Sequence, residues 1–199
     1  MQKITCVAVT VPVLLMITVG VRSDEPAKQE KAPAKTKTVK ARDLTLKVPD
    51  DWKQKQPGSS MRVAELEVPP AGEDKDPGEF VVFWFGEGGA GGAQANIQRW
   101  IGQFEEEGRK MKIVSGESAS GKYTLVDLTG AYKKPVGPPI AGKSKRMADW
   151  RVLNVYIETD AGPYYLKLDG PQKTVAAVES DFRATFGGKK DSEKEQKRE

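Results

Sequence analysis

The chain has 199 residues, 38% of them hydrophobic and 30% charged, with a formal net charge of +4. It contains no histidine and a single cysteine, Cys6, which removes imidazole metal ligands, a Ser-His-Asp triad and any intramolecular disulfide from consideration. The positive charge is not a nucleic-acid signature: residues 24–42 hold six Lys/Arg against three Asp/Glu and residues 189–199 five against four, whereas residues 43–188 hold 19 against 21. A nucleic-acid face needs its Lys and Arg on the domain itself.

In chain order, Lys3 precedes an uncharged apolar run from Thr5 to Val21, followed by Arg22 and Ser23. That layout reads as a signal peptide over residues 1–23, and it predicts a periplasmic or secreted protein. The run is interrupted by Pro12 and sits at the short end of the roughly 17 to 25 residues that span a bilayer. The alternative is an uncleaved anchor held inside by Lys3, the one case in which a membrane is a partner. Cleavage would remove Cys6. Residues 24–42, DEPAKQEKAPAKTKTVKAR, have too little apolar bulk to offset their ordering entropy and predict a disordered linker. Residues 189–199, KKDSEKEQKRE, predict a disordered charged tail. A single α+β domain is expected over residues 43–188.

Within that span Leu44 to Val48 alternates apolar and polar residues, the period of a half-buried strand, and Trp52 follows as a core anchor. Met61 to Val68 alternates less regularly, which predicts a strand with a bulge. Phe80 to Phe85, FVVFWF, is apolar throughout and predicts a central strand covered on both faces. Ile97, Trp100, Ile101 and Phe104 form one stripe of a helix over residues 94–107, closed by Gly108. Strands are predicted at Met111–Ser118, Tyr123–Ala131, Trp150–Thr159 and Tyr164–Asp169, with a long loop from Lys133 to Ala148. Asp160-Ala161-Gly162-Pro163 marks a hairpin turn. Val175, Val178, Phe182 and Phe186 stripe a second helix over residues 171–186, with Pro171 in its first turn. Hairpins with few helices predict a largely antiparallel sheet with helices packed on it.

The succession of Trp52, MRVAELEV, FVVFWFGEGGAGGAQANIQRWIGQF and YYLKLDGPQKTVAAVESDFRATF resembles uncharacterised exported proteins of planctomycete-type bacteria with a PsbP/Mog1-like domain. The resemblance covers about Asp43 to Gly187. It implies an α/β/α sandwich and no activity: PsbP-like proteins assist photosystem assembly and Mog1-like proteins bind a small GTPase, and neither role suits this chain directly.

Gly86-Glu87-Gly88-Gly89-Ala90-Gly91 matches G-x-G-x-x-G between a strand and a helix. A dinucleotide site requires a parallel βαβ unit, and the hairpin-like strands before the motif argue against one. Two readings of this region stay open. Asn96, Arg99 and Gln103 share one side of the helix, so with the N–H groups of Gly88, Gly89, Gly91 and Gly92 they could take phosphate, a carboxylate or an acidic sugar. Alternatively, Asn96 and Arg99 brace the loop through its carbonyls; this is the favoured reading.

Elsewhere, Glu105, Glu106 and Glu107 are consecutive and diverge around a helix. Asp74, Asp76 and Glu79 lack the spacing of an EF-hand loop. Ser115, Ser118 and Ser120 have no histidine base. No metal or cofactor is expected. The expected function is an exported, non-enzymatic binding or assembly module of the bacterial cell envelope, with an envelope protein or surface polymer as partner. The alternative is a small-anion or sugar binder, or a hydrolase or lyase, with its site near the Gly86–Ala93 loop.

Overall fold

The structure, a computed structural model, describes residues 35–137 and 142–196, all within one unit of the chain, Pro33–Glu199. The expected signal peptide, residues 24–34 of the expected linker and residues 197–199 lie outside the described residues. The strands are β1 (Thr36–Ala41), β2 (Leu44–Pro49), β3 (Lys53–Gln54), β4 (Arg62–Val68), β5 (Gly78–Trp84), β6 (Lys110–Ser118), β7 (Gly121–Pro135), β8 (Ser144–Ile157), β9 (Tyr164–Pro171) and β10 (Lys194–Glu195). Helix α1 (Ala93–Gly102) follows β5, and α2 (Gln172–Ala177) and α3 (Glu179–Thr185) follow β9. β1 and β2 form a hairpin; the other strands form one antiparallel sheet in the order β10-β6-β7-β8-β9-β5-β4-β3. The α+β expectation holds.

Successive residues of a strand point to opposite sides of its sheet, and here both sides are covered. Phe80, Leu125, Leu153, Val155 and Leu166 meet the β1–β2 hairpin, Trp52, α2 and α3 in one core. Trp52, Phe80 and Phe182 form an edge-to-face series with centroids 5.5 and 5.6 Å apart, a geometry that favours aromatic contacts beyond the area they bury. On the opposite side Val126, Leu128, Val152 and Tyr165 meet Ile97, Trp100 and Ile101 of α1 in a second core. The predicted bulge is present as a register shift between Arg62 and Ala64. β5 is an interior strand, but of the run Phe80 to Phe85 only Phe80, Val81 and Val82 are fully buried, while Phe83, Trp84 and Phe85 are half-buried.

Several boundaries are corrected. Residues 36–41 of the expected linker form β1, with Lys37 and the buried Val39 and Ala41 on one side of the strand and the exposed Thr36, Thr38 and Lys40 on the other. Lysines, one on each side of the strand, dominated the composition and masked a two-residue apolar face. The expected disordered tail is ordered through residue 196: a 3₁₀ turn at Lys190–Ser192 leads into β10, which pairs with Val114 and Ser115 of β6. Helix α1 ends at Gly102, five residues before the expected Glu107, because Phe104 leaves the helical stripe to pair with Tyr132. The long C-terminal helix is broken at Val178 (φ −114°, ψ 11°), and Pro171 caps α2 rather than occupying its first turn.

Of the expected loop from Lys133 to Ala148, residues 133–135 and 144–148 are strand, since β7 continues to Pro135 and β8 begins at Ser144. A register shift between Gly130 and Tyr132, opposite Asp149 at φ 50°, sets this extension off as an arm. The arm is stitched to the chain leaving α1: Lys133 N–H donates to Gln103 O at 2.7 Å, and Glu105 N–H donates to Ala131 O at 2.9 Å.

Candidate functional site

The glycine-rich loop between β5 and α1 is held mainly by Asn96, whose side chain is completely buried. Its Nδ2 donates to the carbonyls of Ala90 at 3.2 Å, Gly91 at 2.9 Å and Gly92 at 2.9 Å; with two hydrogens for three acceptors, the bonds are shared. Tyr165 Oη donates to Gly91 O at 3.0 Å and accepts from Ala90 N–H at 2.9 Å. The exposed Arg99 does not reach the loop; its guanidinium donates to Asn96 Oδ1 and so orients the amide. Gln103 contributes its main-chain carbonyl to the arm, and Gly88, Gly91 and Gly92 are exposed. Gly89 has a packing reason: at φ 61° a Cβ there would lie 2.4 Å from Pro163 and 2.7 Å from Tyr165 Oη. Gly162, at φ 98° in the β8–β9 turn, approaches the backbone of Glu87 as closely. Loop and turn are thus locked together.

A second constellation was not anticipated. On β9 the alternation Tyr165, Lys167, Asp169 puts three polar groups on the α1 side of a central strand. Asp169 is fully buried. Its Oδ2 accepts from Lys134 Nζ at 2.8 Å and Trp150 Nε1 at 3.1 Å. Its Oδ1 stands 3.0 Å from Lys167 Nζ, close enough to pair but not aligned as a hydrogen bond. Lys167 Nζ also donates to Tyr132 Oη at 2.8 Å, and Lys134 Nζ lies 3.5 Å from Glu79. Burial opposes the Asp169 charge, yet Lys167 and Lys134 outweigh it and hold the carboxyl below its ordinary range. Burial likewise pulls Lys167 down, and Asp169 more than restores it, leaving the ammonium strongly favoured. Burial pushes the Tyr132 phenol up. At neutral pH the cluster therefore holds one carboxylate, two ammonium groups and a neutral phenol. It binds the arm to the sheet and offers no neutral base. The sequence signal was opposite charge at i, i+2 in a strand whose neighbours leave it no access to water.

Helix α1 leaves part of its side of the sheet open. There, Ser115, Thr124 and Tyr156 sit in one row across β6, β7 and β8 and, with Glu117, Lys122 and Glu158, line a shallow cavity of about 590 Å³. A smaller hollow of about 280 Å³ shares Tyr156 and Glu158 and is bounded by Glu87 of the glycine-rich loop and by the β8–β9 turn. Tyr156 stands edge-on to Tyr165, with centroids 5.4 Å apart. Its phenol is raised by burial and by its neighbours Tyr165 and Glu158. An aromatic ring among hydroxyls and carboxylates on an open surface is equipped to contact a ligand rather than to enclose one. Among the described residues no group of His, Cys, Asp or Glu is placed to hold a metal ion, and no helix is long and apolar enough to cross a membrane.

No protein family and no curated protein matches the chain. Among solved structures it is similar to PA94 from Pseudomonas aeruginosa, a protein of unknown function, with 14% identity and a TM-score of 0.41 over 74% of this chain and 91% of that one. No functional assignment follows from a likeness of that size.

Proposed function

We propose that the chain is an exported, non-enzymatic binding or assembly module of the cell envelope, with a PsbP/Mog1-like architecture. The observation that carries this reading is where the ionisable groups lie. Those the fold gathers most closely neutralise one another, while the accessible concave surface is an open sheet face with Tyr156 at its centre. Catalysis calls for convergent groups with perturbed protonation inside a pocket; recognition needs an accessible surface of mixed chemistry. The apolar N-terminal run and the lysine-rich residues after it support export. An anion at the glycine-rich loop is disfavoured, because the Asn96 amide is spent on three carbonyls and Arg99 on Asn96.

The test is retention of the purified protein on isolated envelope fragments, compared with Tyr156→Ala and Glu158→Lys variants. Saturable retention by the wild type, reduced in both variants at unchanged melting temperature, is expected. Absence of retention would sink the reading, and retention indifferent to both changes would move the site elsewhere.

A further inference from the structure

The arm formed by the end of β7 and the start of β8 concentrates positive charge. Residues 132–148 hold five Lys/Arg and no Asp/Glu, whereas the rest of residues 43–188 holds 14 Lys/Arg against 21 Asp/Glu. A basic projection therefore stands on an acidic domain. Two of the five cations are committed within the fold: Lys134 serves Asp169, and Arg146 Nε reaches Glu105 Oε1 at 2.9 Å. Lys133, Lys143 and Lys145 are exposed, and none of them has a carboxylate within ion-pair distance among the described residues.

The arm also extends past its neighbouring strands. β6 pairs with β7 as far as Thr129 and β9 with β8 as far as Trp150, so the pairs from Tyr132–Met147 to Pro135–Ser144 run beyond both. Just past that ladder, Val136 N–H donates to Lys143 O at 2.9 Å. Val136 is 49% exposed, one of two large apolar side chains so open among the described residues. At about 3.3 Å per residue, Lys145 and Lys133 lie within about 10 Å of this pair along the ribbon, about one Debye length at 0.1 M salt. An approaching anionic surface thus meets three free cations and one apolar side chain together. The stitches to Gln103 and Glu105 and the bond to Asp169 already hold the base of the arm, so binding does not have to order it.

We propose that the outer part of this arm is a docking site for an anionic lipid bilayer, with Lys133, Lys143 and Lys145 at headgroup level and Val136 entering the interface. The inference goes beyond the binding-module reading and rests on a different surface, because Tyr156 lies toward the opposite end of β7 and β8. It puts membrane contact on the folded domain, where the sequence expectation confined it to an uncleaved N-terminal run. Three point charges on flexible stems suit a diffuse anionic surface; fixed carboxylates in this fold are held instead by arginine forks. The acidic remainder of the domain is repelled by the same surface, which turns the arm toward it.

The experiment measures sedimentation of the full chain with phosphatidylcholine vesicles, with and without phosphatidylglycerol, for the wild type and for a variant carrying Lys133→Gln, Lys143→Gln and Lys145→Gln. Everything outside the arm is common to both proteins. Partition onto the anionic vesicles is expected to fall about fivefold per lysine and about a hundredfold for all three, which corresponds to about 1 kcal/mol per cation. The melting temperature is expected to stay unchanged. Val136→Ser is expected to lower partition about threefold, since the side chain is only half-open before it inserts. Acylation of lysines, read residue by residue on the bound wild type, separates the arm from the N-terminal segment. Anionic vesicles are expected to shield Lys133, Lys143 and Lys145 and to leave Lys122, at the other end of β7, reactive. Arm lysines that stay reactive on bound protein would overturn the proposal, as would no partition at all or equal shielding of Lys122. Shielding by soluble polyphosphate as complete as that by vesicles, with Val136→Ser indifferent, would also overturn it, because the occupant would then be a dissolved polyanion. Failure here leaves the Tyr156 surface standing, and failure of the Tyr156→Ala and Glu158→Lys test leaves vesicle binding standing.

Discussion

On the side of the sheet that carries α3, charges meet as arginine forks with several carboxylates. Arg151 holds Asp127 by two bonds and Glu179 by a third, and Arg183 joins Glu179 to Glu193. On the side that carries α1, charge converges on Asp169, which serves Lys167, Lys134 and Trp150 together. Both arrangements attach an accessory segment, the tail in one case and the arm in the other. They differ in redundancy. Each arginine retains a carboxylate when one is lost, whereas Lys167 has Asp169 as its only carboxylate partner among the described residues. A network of forks tolerates exchange at its margin; a network with one centre does not. The attachment on the α3 side therefore has a fallback partner, and the one on the α1 side has none for Lys167 among the described residues.

The largest expected effect breaks the centre. Asp169→Ala leaves Lys167 buried beside a phenol and should cost about 3 to 5 kcal/mol, a fall in melting temperature of about 2 to 4 °C per kcal/mol. Adding Lys167→Met and Lys134→Met should restore most of the loss, since apolar replacement of a whole buried cluster is often near neutral. A loss that the added changes do not relieve would show that the charges act independently.

Removing residues 189–199 should cost less, about 2 to 3 kcal/mol, because Arg183 keeps Glu179. Thermal melts decide it, and a loss equal to that of Asp169→Ala would erase the contrast between the two networks.

Acid should act next. Burial raises the Glu179 carboxyl, but Lys190, Arg151 and Arg183 outweigh it and hold it at about 2, against 4.5 ordinarily. A depressed folded value means that this contribution is complete above the ordinary value and disappears as pH falls from about 4.5 toward 2. Glu179→Gln should flatten the corresponding part of the acid-denaturation curve by about 1 to 2 kcal/mol after solvent screening. An unchanged slope would place the acid sensitivity on Asp169 instead.

The smallest effect is expected at Arg99, which belongs to neither network. Arg99→Ala should cost about 0.5 to 1 kcal/mol, since Asn96 Oδ1 loses its guanidinium donor while water can enter where the exposed side chain was. The bracing read from the sequence falls chiefly on Asn96, and a loss of several kcal/mol on Arg99→Ala would return it to the arginine.

Legibility followed physical scale. The alternation at Leu44–Val48, the irregular register at Met61–Val68 and the stripe Ile97, Trp100, Ile101 are local patterns, and each appears as read. Asn96 was also legible as a brace, because the carbonyls of a glycine-rich loop must find donors nearby. β1 was obscured because Lys37 and Lys40 set the composition, although Val39 and Ala41 alternate correctly. The tail has no apolar signal at all; its order depends on Arg183, whose availability is a property of the fold. Asp169 stayed hidden because Lys134 reaches it only through the arm, and the arm lay inside an expected loop. The Val178 break has no local marker such as glycine or proline, so the apolar stripe ran through it unmarked.

The strand order has a kinetic consequence. β6, β7, β8 and β9 pair as successive hairpins, and β3, β4 and β5 do the same, so each array assembles from near neighbours. The two meet along one seam, where Glu79 lies opposite Asp169 and Trp84 opposite Tyr164. Closing that seam requires ordering the intervening chain, including α1, for which the entropy must be surrendered before the contacts repay it. Refolding is expected to protect the amides of the two hairpin arrays before those shared by β5 and β9, leaving a late step in which two preformed ribbons zip together. The buried Asp169, lying on that seam, already has its ion partners Lys167 and Lys134 within the β6–β9 array, and the last step adds the cover of β5.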